Sequence, residues 1–154
     1  MQKESYNFKK LTFIFLFIGL LSSCMTVRLI SDYDEMTDKT INALQEDVSR
    51  LLINVENNLG SDKSQYSNYI KNYEDIHVKL KVLQYRANAT DKNKIILSQV
   101  TELINIMDNI EKLHKMGFQN KEQLLLFEQP LNSAFGAMIK LQLALKRGTS
   151  NPSK

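Results

Sequence analysis

The chain has 154 residues and a formal charge of +3, a length typical of a single domain. The charge is concentrated at the start, where the first ten residues carry a net +2. The remainder holds 17 basic and 16 acidic side chains, so the body is nearly neutral. A near-neutral body lacks the electric field that attracts nucleic acid, and we expect no nucleic-acid partner. Cys24 is the single cysteine, which excludes an internal disulfide.

A short apolar run follows the basic start of the chain. It covers residues 11–21, and two serines then lead to Cys24. A positive start, a short hydrophobic stretch and small residues form the layout of a secretory signal. The run is too short for a membrane-spanning helix, which needs about 20 apolar residues. We therefore predict a cleaved signal peptide over residues 1–23.

The residues Leu21-Ser22-Ser23-Cys24 resemble the lipobox of bacterial lipoprotein precursors. The resemblance implies lipidation of the Cys24 sulfur, cleavage between Ser23 and Cys24, and acylation of the new amino group, typically with palmitate. Each buried CH₂ contributes about 0.8 kcal/mol, so two or more acyl chains hold a protein stably at a membrane. Residues 24–33 would then be a lipidated tether.

The residue after the cysteine bears on location. In lipoproteins of enteric-type bacteria an aspartate at this position favours retention at the inner membrane. Met25 stands there in this chain. The resemblance therefore implies a place in the bacterial cell envelope, with the outer membrane favoured over the inner membrane.

Beyond the tether, apolar residues recur at steps of three and four, which predicts amphipathic helices. The four predicted helices run from Asp34 to Leu59, from after Asp62 to Ala87, from after Thr90 or Asp91 to Gly117, and from after Asn120 to Gly148. The stripe of the second includes Tyr66, Tyr69, Ile70 and Tyr73, and that of the third includes Ile110 and Leu113. Short connections make neighbouring helices antiparallel. We predict an all-α, antiparallel four-helix bundle over residues 34–148 and a disordered tail at 149–154.

Residues typical of helix ends stand near the predicted boundaries. The spacing of a capping box occurs in the pairs Asp32–Glu35, Asp62–Gln65 and Asn120–Gln123. Gly60 and Gly117 stand where C-terminal glycines are expected. Pro130 lies inside the fourth helix, so that helix either kinks there or restarts after a break near Gln129.

The helical body is also similar to a group of small bacterial proteins. The similarity rests on residues 33–38, 43–45, 114–118 and 141–148. These resemble uncharacterised small helical lipoproteins of bacteria. The resemblance implies a cell-envelope location and a helical fold, and it implies no site residues.

Two Glu-x-x-His sequences, Glu74–His77 and Glu111–His114, are the residues most similar to a metal site. Ferritin-like bundles hold two iron ions with a pair of such motifs. If the second and third helices fold back at residues 89–90, His77 lies level with Glu102 and about 18 Å from His114. We therefore expect two histidines on helix flanks, Glu111 paired with His114, and no metal or other cofactor. The alternative is an envelope enzyme or metal carrier that uses His77 or His114.

The remaining motifs give no catalytic residues. The sequence has no Cys-x-x-Cys-His haem attachment site, no glycine-rich phosphate loop and no Gly-x-Ser-x-Gly nucleophile motif. Tyr66, Tyr69 and Tyr73 share one face of the second helix, as in a platform that stacks on sugars. Tyrosines at helical spacing are more often the half-buried edge of a core, which is the interpretation we adopt.

The fourth helix has a second apolar edge, formed by Leu125, Gly136, Ile139 and Leu143. It lies about 100–120° from the core stripe on a helical wheel. A helix that is apolar over so much of its circumference is central in its fold or buried against another molecule. We predict that these four residues bind a protein partner, either a second copy of the chain or another envelope protein.

Overall fold

The computed structural model describes residues 32–89 and 92–150. Within these ranges the chain is helical and contains no strand, which confirms the all-α class. The helices are α1 (Glu35–Asn57), α2 (Ile70–Asn88), α3 (Lys94–Met116), α4 (Lys121–Leu125) and α5 (Glu128–Ser150). The predicted signal peptide, Cys24 and most of the tether lie outside the described residues. None of the helices in these ranges has the length and apolarity needed to cross a membrane.

The four long helices pack together around one core. The main interfaces join α1 to α2, α2 to α3, α3 to α5, and α5 back to α1. The most deeply buried side chains come from α1, α2, α3 and α5, and include Ile41, Leu44, Leu51, Ile76, Leu80, Leu103, Ile110 and Met138. These residues belong to the stripes that the three-and-four spacing predicts.

Helix α1 begins at Glu35 because Asp34 caps it. The Asp34 carboxylate accepts hydrogen bonds from the Met36 backbone amide (3.1 Å) and the Thr37 hydroxyl (2.6 Å). The Arg86 side chain, at the far end of α2, also donates to this carboxylate over 2.6 Å. The predicted capping box between Asp32 and Glu35 is therefore wrong, since the residue two positions later satisfies the first turn.

The second helix begins later than predicted. Residues 62–68 form two 3-10 turns, and α2 starts only at Ile70. Gln65 has extended backbone angles and its side chain donates to the Asp62 carboxylate over 3.0 Å, which closes a turn instead of capping a helix. The spacing predicts Ile70 in the apolar stripe of this helix, but its side chain is 42% exposed, so that prediction is wrong.

The third helix ends as predicted and begins slightly later than predicted. Asn93 precedes its first residue, Lys94, whereas the two predicted caps lie just outside the described residues. Gly117 follows the last residue with φ of 86°, a left-handed conformation that favours glycine. Near this end His114 is fully buried, whereas Leu113, predicted for the core, is only partly buried.

The predicted fourth helix is broken at Leu126 and Phe127 into α4 and α5. Asn120 caps α4 as predicted, since its side chain accepts from the Gln123 amide over 3.1 Å. Pro130 is the third residue of α5, within its first turn, where no backbone N–H is needed. A break is therefore confirmed in place of a kink, but it lies before Glu128 and not near Gln129 as predicted. The predicted end at Gly148 is wrong, because α5 continues to Ser150. The first two residues of the predicted disordered tail are therefore helical, and the other four lie outside the described residues.

Candidate functional site

His114, near the end of α3, is 1% exposed and points into the core toward α2 and the two 3-10 turns. Its Nε2 is 2.7 Å from the Ser64 carbonyl oxygen, and its Nδ1 is 2.9 Å from the Tyr73 hydroxyl. A carbonyl only accepts, so Nε2 carries the proton and donates to Ser64. In the neutral ring Nδ1 then accepts from Tyr73. Burial lowers the pKa of His114, and the hydrogen bond to Ser64 opposes this shift only in part.

Four aromatic rings surround this imidazole. Their centroids lie 5.1 to 5.8 Å from it, and they belong to Phe118, Tyr69, Tyr73 and Tyr66. Tyr69 and Tyr73 are buried, and the Tyr69 hydroxyl donates to the Asn54 carbonyl over 3.1 Å. Burial, and then the negative charge of Glu111, raise the pKa of Tyr73 well above its ordinary value. The tyrosines are therefore the edge of a core, as predicted, and not an exposed platform.

Glu111 holds the outer side of this cluster together. Its carboxylate accepts from the Tyr66 hydroxyl (2.7 Å), His77 Nε2 (2.7 Å) and Lys115 Nζ (2.8 Å). Burial alone would raise the pKa of Glu111, but the hydrogen bonds from Lys115, Tyr66 and His77 outweigh it and bring it to about 2. A carboxylate that is ionised and saturated with donors is a poor proton acceptor at neutral pH, so this arrangement is suited to hold the 3-10 turns against α3.

The predicted separation of the two histidine motifs is wrong. His77 contacts Glu111, nine positions and about 13 Å along α3 from the predicted level at Glu102. In both contacts, Tyr73–His114 and His77–Glu111, the residue midway between the two partners in the sequence is close to Lys94. The chain therefore folds back near Lys94, later than the predicted residues 89–90. The predicted pairing of Glu111 with His114 is also wrong, because the two side chains bind different partners.

The two motifs come together without forming a ligand set. Glu74 is exposed, and no group of three or more His, Cys, Asp or Glu side chains in residues 32–89 and 92–150 is arranged to hold a metal ion. Both ring nitrogens of His114 are engaged by protein atoms. A metal at this ring would have to displace the Tyr73 hydroxyl or the Ser64 carbonyl.

A groove lies at the other side of the bundle, along the interface between α1 and the pair α4–α5. Its volume is about 290 Å³. The apolar part of the lining comes from Val48, Leu52, Ile53, Leu124, Leu131 and Phe135. The polar part comes from Gln45, Ser49, Glu56, Glu128 and Asn132. We call this interface, with the exposed apolar residues beside it, the α1–α5 seam.

The edge predicted on the fourth helix continues this seam. Leu125 and Leu143 are 40% and 45% exposed, whereas Ile139 is partly buried against the core. A Cβ added at Gly136 would meet no heavy atom within 4 Å, so this side of α5 is open. At 100° per residue, Gly136, Ile139 and Leu143 lie on the same side of α5 as Asn132 in the groove.

Sequence reasoning missed the half of the seam that α1 supplies. Ile53 is 56% exposed and lines the groove, and Leu126 at the break is 70% exposed. Neither belongs to an apolar stripe, because a groove is formed by two helices and no single periodic pattern describes it. The signal available was an isolated isoleucine on the polar side of α1.

No family model, curated protein or solved structure matches this chain. Function is therefore inferred from the residues and from the geometry of the two sites.

Proposed function

We propose that this protein is a lipid-anchored component of the bacterial cell envelope that binds another protein through the α1–α5 seam. The basic start, the short apolar run and the residues Leu21-Ser22-Ser23-Cys24 support the anchor. Cleavage before Cys24 and lipidation of its sulfur attach the mature chain to the membrane. Met25 favours the outer membrane over the inner one.

We further propose that the four long helices form an antiparallel bundle. Three contacts support this topology. Asp34 before α1 pairs with Arg86 at the end of α2, and Glu56 at the end of α1 pairs with Lys121 at the start of α4. His77 in α2 pairs with Glu111, which lies late in α3. In the first and third contacts the early part of one helix lies beside the late part of the next helix in the chain. In the second contact the end of α1 lies beside the start of α4.

In the proposed arrangement, the length of α1 separates the seam from the anchored end of the chain. Helix α1 is about 34 Å long, and its start follows the tether directly. Gln45 and Glu56, the first and last groove residues on α1, stand about 15 and 32 Å along it from Glu35. The groove therefore lies along the part of α1 that is distant from the anchored end. A partner in the envelope can reach it there.

The observation that carries the binding function is the coincidence of a groove with exposed apolar side chains. The groove is about 290 Å³, close to the lower limit of about 300 Å³ for typical ligand pockets, so it suits a few anchoring side chains. Leu125 at the end of α4 and Leu143 on α5 are exposed apolar side chains outside this lining, on the helices that border the groove. A surface of this kind, rimmed by polar residues, is typical of protein–protein contacts.

Site-specific photocross-linking in membranes tests the proposal. A photoreactive amino acid placed at Asn132 of the full chain should give a cross-linked adduct that is lost in the variant Leu125→Lys with Leu143→Lys. Both leucines are exposed, whereas Ile139 is partly buried, so this pair changes the surface at the least cost to folding. Val78→Lys, on the exposed face of α2, is the matched control and should retain the adduct.

Two results would count against the seam as a binding surface. One is the absence of any specific adduct from Asn132. The other is an adduct that persists unchanged in the double lysine variant while circular dichroism shows that the variant is folded. The mass of the adduct tells a second copy of the chain from a different protein.

A further inference from the structure

We infer that the occupant of the α1–α5 seam is an amphipathic helix of a different protein, with lysine or arginine flanking its apolar anchors. This inference rests on the proposed binding function and names the chemistry of the partner. It follows from the charge of the groove, from its shape, and from the symmetry that a second copy would impose.

The ionisable side chains that line the groove are all acidic. They are Glu56 and Glu128, and no lysine or arginine belongs to the lining that the described residues form. Lys121 pairs with Glu56 from the side of α4. That bond, and then the more distant charges of Glu128 and Glu122, raise the pKa of Lys121. This one lysine therefore stands among three carboxylates, Glu56, Glu122 and Glu128, and the negative charge left over attracts a cationic partner.

The shape of the groove suits a helix. It runs along α1 from Gln45 to Glu56, which is about 16 Å or three helical turns. Its apolar floor lies between the two acidic residues and the amides of Gln45 and Asn132. A helix laid in such a groove inserts side chains spaced three and four residues apart and directs its flanking residues to the rim.

A second copy of the chain does not satisfy this rim. Two copies anchored in one membrane leaflet stand parallel, so a two-fold axis between them runs along the bundles. Residues at one height then face each other, and Glu128 of one copy approaches Glu128 of the other. Like charges facing each other across an interface are unfavourable. Antiparallel pairing would place the two anchors about 34 Å apart, at opposite ends of α1.

Fluorescence anisotropy with three labelled peptides tests the inference on the full chain in a non-ionic detergent. The peptides are helical, share one leucine face, and carry lysine, glutamine or glutamate at the flanking positions. At low salt the lysine peptide should bind at least about tenfold more tightly than the glutamate peptide, and the difference should shrink as salt rises. Micelles without protein measure the background.

Two variants locate the effect. Glu128→Gln should weaken binding of the lysine peptide about threefold, as expected for one exposed ion pair. Glu74→Gln removes an exposed carboxylate from α2, which does not line the groove, and should leave binding unchanged. A loss that is equal in both variants would show only general attraction to a negative protein, and the inference would be wrong.

The outcomes separate the inference from the proposed function. If the three peptides bind equally, or if the Asn132 adduct has the mass of two copies of this chain, the inference is overturned and the seam remains a binding surface. The same holds if no peptide binds but the adduct is lost in the double lysine variant. If no peptide binds and no adduct depends on the seam, both proposals fail.

Discussion

Tyr73 and His114 are 41 positions apart in the chain and share a buried hydrogen bond of 2.9 Å. The bond joins α2 to α3, and the other ring nitrogen of His114 reaches Ser64 in the first 3-10 turn. One side chain therefore connects three segments of the chain. In the neutral form Nδ1 accepts from the Tyr73 hydroxyl, whereas a protonated ring would have to reverse this hydrogen bond and place a charge in the core. The proton on His114 is therefore coupled to the packing of residues 62–68.

Tyr73→Phe should destabilise the fold by about 1–3 kcal/mol, because it leaves His114 Nδ1 buried without a donor. The phenyl ring is retained, so the loss measures the hydrogen bond and not the packing. Urea unfolding of the full chain in a non-ionic detergent, followed by circular dichroism, gives the free energy. Tyr85→Phe is the control, since Tyr85 is 65% exposed, and it should change stability by less than about 0.5 kcal/mol. Equal stability of the two variants would show that the buried bond contributes nothing.

Stability should fall as the pH drops below about 6.5, the ordinary pKa of histidine. The folded protein lowers the pKa of His114 because the ring is buried. Between that lowered pKa and about 6.5, the unfolded chain binds a proton that the folded chain does not, so stability is full above this window and declines through it. The titratable groups facing the ring are Tyr66, Tyr69 and Tyr73. The pKa of Tyr66 is raised by its hydrogen bond to Glu111, and that of Tyr73 is raised by burial, so neither loses its proton in this window.

Variants of the two histidines show which of them causes the dependence of stability on pH. Urea unfolding at a series of pH values between 7 and 5 should show the decline in wild type and in His77→Gln. In His114→Gln the stability is lower throughout, but its dependence on pH in this interval should be much smaller. A slope that survives in His114→Gln and disappears in His77→Gln would contradict the assignment.

Cys24→Ser should prevent lipid attachment and leave the precursor unprocessed. The serine hydroxyl is close in size to the thiol but is not the sulfur nucleophile that the lipobox resemblance requires. Metabolic labelling with a radioactive fatty acid, together with the mass of the product, measures the change. Ser23→Ala keeps a small residue before the cleavage position and should still be labelled. Normal processing and membrane retention of Cys24→Ser would remove the basis for the lipid anchor.

Features that depend on residues within one segment can be predicted from this sequence, whereas features that depend on contacts between segments cannot. The Asn120 cap, the Gly117 end and the stripes of α1 and α3 follow from spacing within one segment. The 3-10 turns at 62–68 do not, because Tyr66 and Tyr69 are directed by Glu111 and by the Asn54 carbonyl.

The position of His114 shows the same limit. The three-and-four spacing predicts Leu113 in the core of α3, and the predicted fold-back is at residues 89–90, whereas His114 is the buried residue and the fold-back lies near Lys94. The level at which α2 meets α3 depends on how the side chains interlock, so Glu111 lies beside His77 through a stagger that no helix encodes alone. The apolar edge on α4 and α5 follows from the residues of one segment, whereas the groove is formed by two segments, because α1 supplies one of its walls.

Gly136→Ala distinguishes two effects of this glycine, its cost to the stability of α5 and its contribution to contact with a partner. Alanine in a helix interior is more stable than glycine by about 1 kcal/mol, and a Cβ at Gly136 meets no heavy atom within 4 Å. The variant should therefore be more stable by about 0.5–1 kcal/mol in urea unfolding.

If a partner helix approaches this side of α5 closely, the methyl group added by Gly136→Ala should also reduce the adduct formed from Asn132. Ala144→Gly, at an exposed position of the same helix, should lose about 1 kcal/mol and leave the adduct unchanged. A stabilised Gly136→Ala protein with an undiminished adduct would remove this residue from the seam, and a destabilised one would show that the bundle itself occupies the space.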